Sequence, residues 1–266
     1  GPGIISIPFI IGNITHHLFQ KCLMHKNVDL DFAEELIEQQ LDSHIIEIYA
    51  ASKNRQEIKS MIMEHFSYIK EWITDYITPS VTSSGNKGSQ NTEYKTTNVL
   101  DIEESIVSPI FGIKGIIDVV IEAKLKDGGK YVIPLEIKTG REYLSNRAQV
   151  SLYTLLIKQR YDVDCFYTSL VYTKLHQCYL NALKYNDFKL LINIRNELAQ
   201  YLVYAVTELP PILQRASCER CFNLEPCMVL NKLTENGVAH ESGIETEMYE
   251  KITSHLSKPL YKEYYE

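Results

Sequence analysis

The sequence lacks several features that would place it in a specialised class of protein. Among its 266 residues no apolar run approaches the roughly 20 residues that a membrane-spanning helix needs. It has no Gly-x-x-x-x-Gly-Lys-Ser/Thr loop, so a nucleotide site of that kind is not expected. The opening Gly1-Pro2-Gly3 has neither the basic start nor the apolar stretch of a signal peptide, and we interpret it as the remnant of a cleaved tag. No membrane partner is expected.

Positive charge is also scarce. Lys and Arg number 27 against 34 Asp and Glu, which gives a net charge of −7. This balance excludes a histone-like polycation, although a local groove can be basic while the total is acidic. Apolar residues make up 45% of the chain and charged residues 23%, the proportions of an ordinary globular protein with a sizeable core.

Six cysteines occur without a secretory signal, which favours metal ligation or burial over disulfides. Three of them are closely spaced as Cys218-x2-Cys221-x5-Cys227. Three such thiolates bind a soft metal, either zinc or an iron–sulfur cluster, and spacing alone does not separate the two. The alternative is three buried thiols. Cys165 and Cys178 lie in strand-like stretches and are expected to be core residues.

Periodicity predicts helices first and then strands. Three helices are expected over Ile10–His25, from a capping Asp31 through Ile45, and over Ile58–Tyr76. The polar stretch 78–98 is expected to be a mobile loop inside the domain. The later elements predicted, in chain order, are strands Val99–Val107, Ile113–Leu125 and Tyr131–Thr139, helix Leu144–Tyr161, strands Phe166–Thr173 and Leu175–Leu180, and helix Asn186–Val206. We expect an α/β fold with a lead-in over 1–9, a main domain over 10–232 and an acidic tail or linker over 233–266, parts of which are helical.

The main chemical signal is a pair of carboxylates and a lysine on a predicted hairpin. Glu136 and Lys138 share one face of a strand because side chains alternate, and Asp118 lies on the neighbouring strand. Charged groups on an otherwise buried strand are costly unless they are paired or bind a metal. Two carboxylates from adjacent strands supply the oxygen ligands that Mg²⁺ and Mn²⁺ prefer. The alternative is a surface Asp and a Glu–Lys pair on an edge strand.

The predicted turn sets a constraint on this pair. Asp127-Gly128-Gly129 favours a tight hairpin, since glycine tolerates positive φ. If Gly128 and Gly129 centre the turn, Asp118 lies opposite Thr139, about 10 Å along the strand from Glu136. A shared ion then requires a bulge, a longer turn or a strand bend.

The spacing Asp118-x17-Glu136-x-Lys138 resembles the signature of the PD-(D/E)xK nucleases. Further runs resemble one branch, the RecB-like nuclease domain of the eukaryotic DNA replication helicase/nucleases. These runs are Asp101–Ser105, Gly112–Asp118, Leu135–Gly140 and Arg147–Leu156. Gly12-x-x-x-His16 resembles the family's Gly-Thr-x-x-His helix. The resemblance covers most of 10–232 and implies a restriction-endonuclease-like core, a mixed sheet flanked by helices.

The resemblance also implies site residues. The implied Mg²⁺ or Mn²⁺ ligands are three side chains and one backbone carbonyl: His16, Asp118, Glu136 and Ile137. The implied catalytic residues besides the carboxylates are Lys138, Gln149 and Tyr153. Gln149 and Tyr153 match the family's Gln-x-x-x-Tyr motif, and residues at i and i+4 of a helix can both face the site. Glu103 or Glu104 is a candidate for a further carboxylate. Outside the motifs, Tyr153 would be read as core and His16 as surface or core.

For the cysteine segment, the resemblance implies a [4Fe–4S] cluster held by Cys218, Cys221 and Cys227. The family's first cysteine precedes the Gly-x-x-x-His helix, and no cysteine precedes Gly12 here. We therefore expect partial occupancy or loss of the cluster. Cys22, a water or another residue is left open as the fourth ligand.

The implied reaction is hydrolysis of DNA phosphodiesters at single-stranded ends or 5′ flaps during replication and repair, in the nucleus and with the mitochondrion as a second location. A helicase domain in the full-length chain and a single-strand-binding protein are implied partners. Basic residues near the motifs are expected to line a track for single-stranded DNA, although scattered solvated charge is the ordinary interpretation. These residues are Lys114, Arg141, Arg147, Lys158, Arg160, Lys174 and Arg195.

Three alternatives remain open. A non-catalytic DNA-binding scaffold on the same fold would have lost a ligand, yet Asp118, Glu136 and Lys138 are all present. A viral cap-snatching RNA endonuclease also combines His, carboxylates and Lys, but it would not predict the cysteine segment. A standalone CRISPR adaptation nuclease shares the cluster.

Overall fold

The computed structural model describes residues 6–77, 93–203, 218, 221–257 and 263. The chain forms two compact units, Gly1–Asn193 and Ile194–Glu266. This division falls earlier than the sequence-based limit at residue 232, and it lies inside a helix. Gly1-Pro2-Gly3 is outside the described residues.

Four helices precede the sheet in the first unit: α1 (Ile7–His25), α2 (Leu30–Ser43), α3 (Ile45–Ala50) and α4 (Arg55–Tyr76). The three predicted helices are confirmed with two corrections. The second helix begins at Leu30, so Asp31 lies inside its first turn and is not the cap. It breaks at His44, so Ile45 belongs to α3. At the start of α4, the Asn54 side chain accepts the Gln56 N–H at 2.7 Å.

Five strands form one sheet in the order β1-β2-β3-β4-β5. Their bounds are β1 (Tyr94–Ser108), β2 (Ile113–Leu125), β3 (Lys130–Lys138), β4 (Tyr167–Tyr172) and β5 (Gln177–Ala182). Strands β3 and β4 are parallel, and the other neighbours are antiparallel. Helix α5 (Leu144–Tyr161) connects the parallel pair. The α/β fold with a mixed sheet flanked by helices is thereby confirmed.

The first strand begins earlier than the sequence indicates. Tyr94 pairs with Leu125, and its side chain is only 2% exposed. Its ring packs against Tyr76 at a centroid distance of 4.8 Å, and its hydroxyl lies 2.8 Å from Ser169 Oγ. The predicted loop over 78–98 is therefore wrong for 94–98, because one buried aromatic anchors this polar segment to the sheet. Residues 78–92 lie outside the described residues.

Helices cover both faces of the sheet. One face packs on α1 and α4, where the rings of Phe19 and Trp72 lie 5.1 Å apart. The other face packs on α5, whose Val150 and Leu156 are fully buried beside Val120 of β2. Strands β2 and β3 therefore run through the interior, and any charged side chain on them lies among packed residues.

The second unit has its own small apolar cluster. Helix α6 (Tyr185–Val203) contains the division, and α7 (Leu224–Thr234) and α8 (Thr246–Thr253) follow it. Met228, Ile244 and Tyr249 are buried together, and the Tyr249 hydroxyl donates to the Gly237 carbonyl at 3.0 Å. The expected helix within 233–266 is thus present as α8, and it packs beside α7. Across the residues described above, no helix is long and apolar enough to cross a membrane.

Candidate active site

The hairpin of β2 and β3 brings Asp118 and Glu136 together. The register runs from Lys124↔Lys130 to Val119↔Leu135, and one further step sets Asp118 opposite Glu136. Beyond that step Asp118 Oδ2 accepts the Ile137 backbone N–H at 2.7 Å. The two carboxylates are only 7% and 3% exposed.

This register corrects the expected offset between the two carboxylates. The turn is centred on Asp127, earlier than Gly128-Gly129, so Thr139 is not opposite Asp118. Gly128 has φ +85°, and Asp127 Oδ1 accepts the Gly129 N–H at 2.7 Å. This earlier centre removes the separation of about 10 Å that a turn centred on Gly128 and Gly129 would impose, so the bulge, longer turn or strand bend that the predicted turn required is not needed.

Helix α1 contributes His16 from the opposite side of Asp118. The His16 Nδ1 atom lies 3.3 Å from Asp118 Oδ1. Burial by itself lowers the pKa of His16, but the hydrogen bond to Asp118 and the charges of Asp118 and Glu136 raise that pKa above its usual value overall. The first carboxylate is therefore bridged to α1 by a histidine that readily carries positive charge.

Lys138, Gln149 and Tyr153 form a connected network around Glu136. Lys138 Nζ donates to Glu136 Oε1 at 2.6 Å and to Gln149 Oε1 at 3.0 Å. Gln149 Nε2 lies 2.7 Å from both Glu136 Oε1 and the Tyr153 hydroxyl. Tyr153 in turn donates to the Ile116 carbonyl at 2.7 Å. The i and i+4 positions on α5 therefore both face the site, and Tyr153 is at once a core residue and a support for Gln149.

Glu136 keeps one oxygen without a partner. Its Oε2 is buried and accepts no hydrogen bond in the described structure. Burial, followed by the neighbouring charge of Asp118, raises the pKa of Glu136 to about 7. A buried, unpartnered carboxylate oxygen beside a second carboxylate is the chemistry that a hard divalent cation would satisfy.

The fit to a metal is therefore good for the carboxylate pair. In the residues that the structure describes, no three His, Cys, Asp or Glu side chains stand as a ready-made metal site. Asp118 and Glu136 supply two oxygen ligands, and Lys138 already occupies Glu136 Oε1. The Ile137 N–H donates to Asp118, so the Ile137 peptide also lies between the ends of β2 and β3, beside the two carboxylates.

Glu103 and Glu104 differ in their surroundings. Ile102↔Val119 and Glu104↔Ile117 are paired, so Glu103 lies opposite Asp118 in the register, with φ +56°. Its carboxylate accepts a 2.5 Å hydrogen bond from Gln20 of α1. Glu104 is 8% exposed and is bound instead by Tyr161 at 2.6 Å and Arg160 at 3.4 Å. Only Glu103 therefore shares the row of Asp118.

A buried contact behind Lys138 has no signal in the sequence. Thr173, just after β4, donates its N–H and its hydroxyl to the Lys138 carbonyl at 2.9 and 3.3 Å. His65 of α4 lies 2.8 Å from that hydroxyl, and burial lowers the pKa of His65 to about 4. The neutral His65 ring and the Thr173 hydroxyl share a hydrogen bond in which either atom can be the donor, depending on the tautomer. These two residues fix the backbone of the lysine.

The basic residues expected near the motifs divide into two groups. Lys158 is bonded to Asp164, and Arg160 to Glu104. Four others are exposed and have no ion-pair partner within the described ranges: Lys114, Arg141, Arg147 and Lys174. These four remain available to an external anion, whereas Arg195 is half-buried on α6.

The six cysteines fall into two groups, three in each unit. Cys218, Cys221 and Cys227 belong to the second unit, where Cys221 N–H donates to the Cys218 carbonyl at 3.0 Å. Burial, and then the neighbouring Cys218 and Cys221, raise the pKa of Cys227, so the three side chains lie near one another. All described cysteines are free.

Cys165 is buried as expected, and Cys178 is partly buried against the core. Cys22 is fully buried on α1, and burial raises its pKa to about 12. A thiol so packed and protonated is a poor metal ligand.

Comparison with known proteins supplies the family. The family described as DNA replication factor Dna2 matches residues 1–123. The DNA replication ATP-dependent helicase/nuclease DNA2 of Saccharomyces cerevisiae is 34% identical over 284 residues, covering 98% of this chain and 18% of that protein. The chain belongs to the Dna2 helicase/nuclease family. The relatives of the same name from Bos taurus and Homo sapiens are 32% and 29% identical to the chain. Each alignment covers 96% of this chain and 27% of the relative.

The extent of these matches defines what the family assignment covers. This Dna2-family chain spans about a fifth to a quarter of the length of the relatives that it matches. The family match over 1–123 includes His16 and Asp118, and the relatives extend over nearly all of the remaining chain. The relatives that carry this name are therefore several times longer than this chain, and their name describes the longer proteins.

Proposed function

We propose that this chain is a metal-dependent deoxyribonuclease that hydrolyses phosphodiesters of single-stranded DNA ends or flaps. The observation that carries the proposal is the fork between β2 and β3. Two buried carboxylates face each other there, one of them with an unpartnered oxygen, beside a lysine and a histidine. Structural ion pairs rarely leave a buried carboxylate oxygen unsatisfied.

Asp118, Glu136, the Ile137 carbonyl and His16 are the groups that would hold Mg²⁺ or Mn²⁺. Such an ion, when bound, supplies an activated water and stabilises the charge of the attacking and leaving oxygens. Lys138 is held by Gln149, so its ammonium is oriented for a non-bridging phosphate oxygen or for the water. Tyr153 holds Gln149, and through it the lysine. Glu103 is the candidate for one further carboxylate.

The setting proposed for this activity follows the relatives. Their names combine a helicase with a nuclease and refer to DNA replication. We propose a nuclear role in replication and repair, with a helicase domain and a single-strand-binding protein as partners. Lys114, Arg141 and Arg147, which are free of ion pairs in the part of the chain described, would contact DNA phosphates. Cys218, Cys221 and Cys227 would supply three ligands of a [4Fe–4S] cluster.

Cleavage of end-labelled DNA tests the proposal. Single-stranded, flap and blunt duplex substrates are incubated with Mg²⁺, with Mn²⁺ and with EDTA. We expect cleavage of the first two only when a metal is present. Asp118→Asn should abolish cleavage while thermal unfolding shows an intact fold, and Glu35→Gln on the exposed surface of α2 should cleave normally.

Binding separates the alternatives. Calorimetric titration with Mn²⁺ should give heat with the wild type and little with Asp118→Asn, which reports the metal site without activity. DNA binding without cleavage in any metal would support the scaffold. Equal cleavage of structured RNA and duplex DNA would support an RNA endonuclease. Near-normal cleavage by Asp118→Asn would contradict the assigned site.

A further inference from the structure

A second concave surface lies beside the candidate active site. It is a groove of about 410 Å³ formed by the start of α5 together with β4 and β5. Three tyrosines line it, Tyr143, Tyr172 and Tyr179, and we call it the tyrosine groove. Ligand pockets in proteins have volumes of about 300 to 1,000 Å³, so the groove lies within this range.

The strand register connects this groove to the carboxylates. Glu136 pairs with Leu170, and Leu170 pairs with Tyr179. Lys138 likewise pairs with Tyr172. Paired residues on neighbouring strands point to the same face of a sheet, and strands lie about 4.8 Å apart, so Tyr179 is roughly 10 Å from Glu136 across the sheet. The groove is thus one to two strands away from the residues proposed to cleave.

The groove offers aromatic faces to solvent. Tyr143 is 62% exposed and Tyr179 is 36% exposed. Beneath them Tyr172 is buried, and its ring meets that of Tyr179 edge-on at a centroid distance of 6.0 Å. This edge-on contact supports Tyr179 from one side.

The charges in the groove offset one another. Arg147 is exposed there and has no ion-pair partner among the residues described. Glu142 lies on the same wall and accepts a 2.6 Å hydrogen bond from the Tyr179 hydroxyl. With one cation and one anion the wall is close to neutral, so a neutral planar group that can stack fits it. Arg147 stays available to the phosphate attached to that group.

The groove is also lined by an asparagine whose side-chain N–H groups have no acceptor among the residues described. Asn181 lines the groove, and its side-chain nitrogen is buried and has no hydrogen-bond partner in the described structure. Buried amide groups without a partner are uncommon in folded proteins, and a ligand with a carbonyl or ring nitrogen would accept from this one.

We propose that the tyrosine groove binds an unpaired nucleobase of the strand that is cleaved, by stacking on Tyr143 or Tyr179. The proposal rests on the proposed nuclease function and adds a base subsite to it. Every base has a stacking face, so the subsite accepts any sequence. It requires the base to be unstacked from a duplex, and it therefore gives a physical reason for a preference for single strands.

Substitution of the two exposed tyrosines tests the subsite. Tyr143→Ala and Tyr179→Ala should raise KM and the Kd for mixed-sequence single-stranded DNA by about tenfold, the range of one lost base stack, with kcat nearly unchanged. Tyr143→Phe and Tyr179→Phe keep the ring and should bind like the wild type. Tyr49→Ala removes an 85% exposed ring on α3, far from the groove in the chain, and should have no effect.

A scan with abasic nucleotides tests the same point without altering the protein. One abasic position is moved along the oligonucleotide, and the wild type should lose about tenfold in affinity at one position only. The alanine variant of the stacking tyrosine should show no further loss at that position, because the stack is already gone.

The outcomes separate the two proposals. If the wild type does not cut single-stranded DNA with Mg²⁺ or Mn²⁺, the proposed function fails. If it cuts, but the abasic scan is flat and both alanine variants bind normally, the base subsite alone is overturned, and the groove is a surface for another protein or simple packing. A position-specific loss that is absent in an alanine variant supports the subsite.

Discussion

Glu136 is held in surroundings that disfavour its charge. It is 3% exposed, its Oε2 has no partner within the described structure, and the Asp118 carboxylate is adjacent in the register. Burial and then Asp118 raise its pKa to about 7, while Lys138 and His16 act in the opposite direction without cancelling the rise. In the absence of metal, folding therefore favours the protonated form of this group.

Glu136→Gln should make metal-free stability less dependent on pH. The pKa of Glu136 is higher in the folded state than in the unfolded state. Below about pH 4.5 the group is protonated in both states and costs the wild type no stability; from there to about pH 7 the free energy of unfolding falls steadily. The variant lacks this fall, and its stability relative to the wild type should improve by up to about 3 kcal/mol across this range. Urea unfolding in EDTA at the two ends of the range measures the change.

A matched variant and the metal sharpen this measurement. Glu35→Gln removes an exposed carboxylate of α2 and should follow the wild-type pH dependence. Added Mn²⁺ should stabilise the wild type and not Glu136→Gln. If Glu136→Gln and the wild type changed equally with pH, Glu136 would be ionised in the fold at ordinary pH, and the interpretation of its burial would be wrong.

The elements were largely predictable from sequence, because each has a local signal. Stretches rich in Val, Ile and Tyr predicted β2 and β3, and the Asp127-Gly128-Gly129 turn predicted their hairpin. The register was not predictable in the same way, because a turn signal locates a bend to within a residue or two and a small error moves every opposing pair. The placement of Asp118 opposite Glu136 came from a turn centred on Asp127 and not on Gly128-Gly129.

Contacts between elements distant in the chain were the least predictable. Tyr94 closes the start of β1 by packing on Tyr76, and His65 reaches Thr173 from 108 residues away. Neither residue carries a periodic or motif signal of its own. The residues grouped by motif did gather in the fork, whereas Glu104 turned to Tyr161 and Arg160. The family motifs therefore identify the residues of the site, whereas the residues that support them are determined by tertiary packing.

Helix α5 can approach β2 closely only because residue 115 is glycine. A Cβ at Gly115 would lie 2.9 Å from both Leu156 Cδ1 and Tyr153 Cε1. Gly115→Ala should therefore displace the Tyr153 ring, cost roughly 1–3 kcal/mol as other overpacked cores do, and lower kcat. Urea unfolding and single-stranded DNA cleavage measure the two effects.

Gly12 provides the control for this substitution. A Cβ at Gly12 would lie 3.6 Å from Thr139 Oγ1, an ordinary contact. Gly12→Ala in α1 should be neutral or stabilising by roughly 0.5–1 kcal/mol, since alanine favours a helix interior. Equal losses in the two variants would mean that the space around Gly115 does not control α5.

The cysteine segment of the second unit has a chemical test. If Cys218, Cys221 and Cys227 hold an iron–sulfur cluster, the protein should be brown and contain iron, at up to about four atoms per chain. Cys221→Ser should lose the iron and destabilise the segment around α7, because the binding energy of a metal is folding energy for the segment that supplies the ligands. The nuclease fork in the first unit should be unaffected.

Metal analysis decides the assignment of that segment. Iron together with inorganic sulfide supports the cluster. Stoichiometric zinc without iron would contradict it. A metal-free protein with three titratable thiols would leave Cys218 and Cys227 a packing role beside Met228 and Tyr249.

At the scale of the whole molecule, an acidic chain must bind a polyanion through local charge. The net charge is −7, so the average field repels DNA. Pairing within the fold removes Lys158 and Arg160 from the available cations. Among the exposed cations that have no ion pair in the described ranges, we assign phosphate contacts to Lys114, Arg141 and Arg147.

Salt dependence of binding measures how many of these three contact phosphates. Each Lys or Arg that neutralises a phosphate of single-stranded DNA contributes about 0.7 to the slope of log K against log salt. Lys114→Ala, Arg141→Ala and Arg147→Ala should each reduce the slope by about that amount and weaken binding equally for all sequences. Lys53→Ala, whose ammonium is 3.1 Å from Glu57, should leave the slope unchanged. The number of counterions released reports the number of phosphate contacts for any base sequence. If the three variants Lys114→Ala, Arg141→Ala and Arg147→Ala all kept the wild-type slope, the DNA would therefore follow a different path.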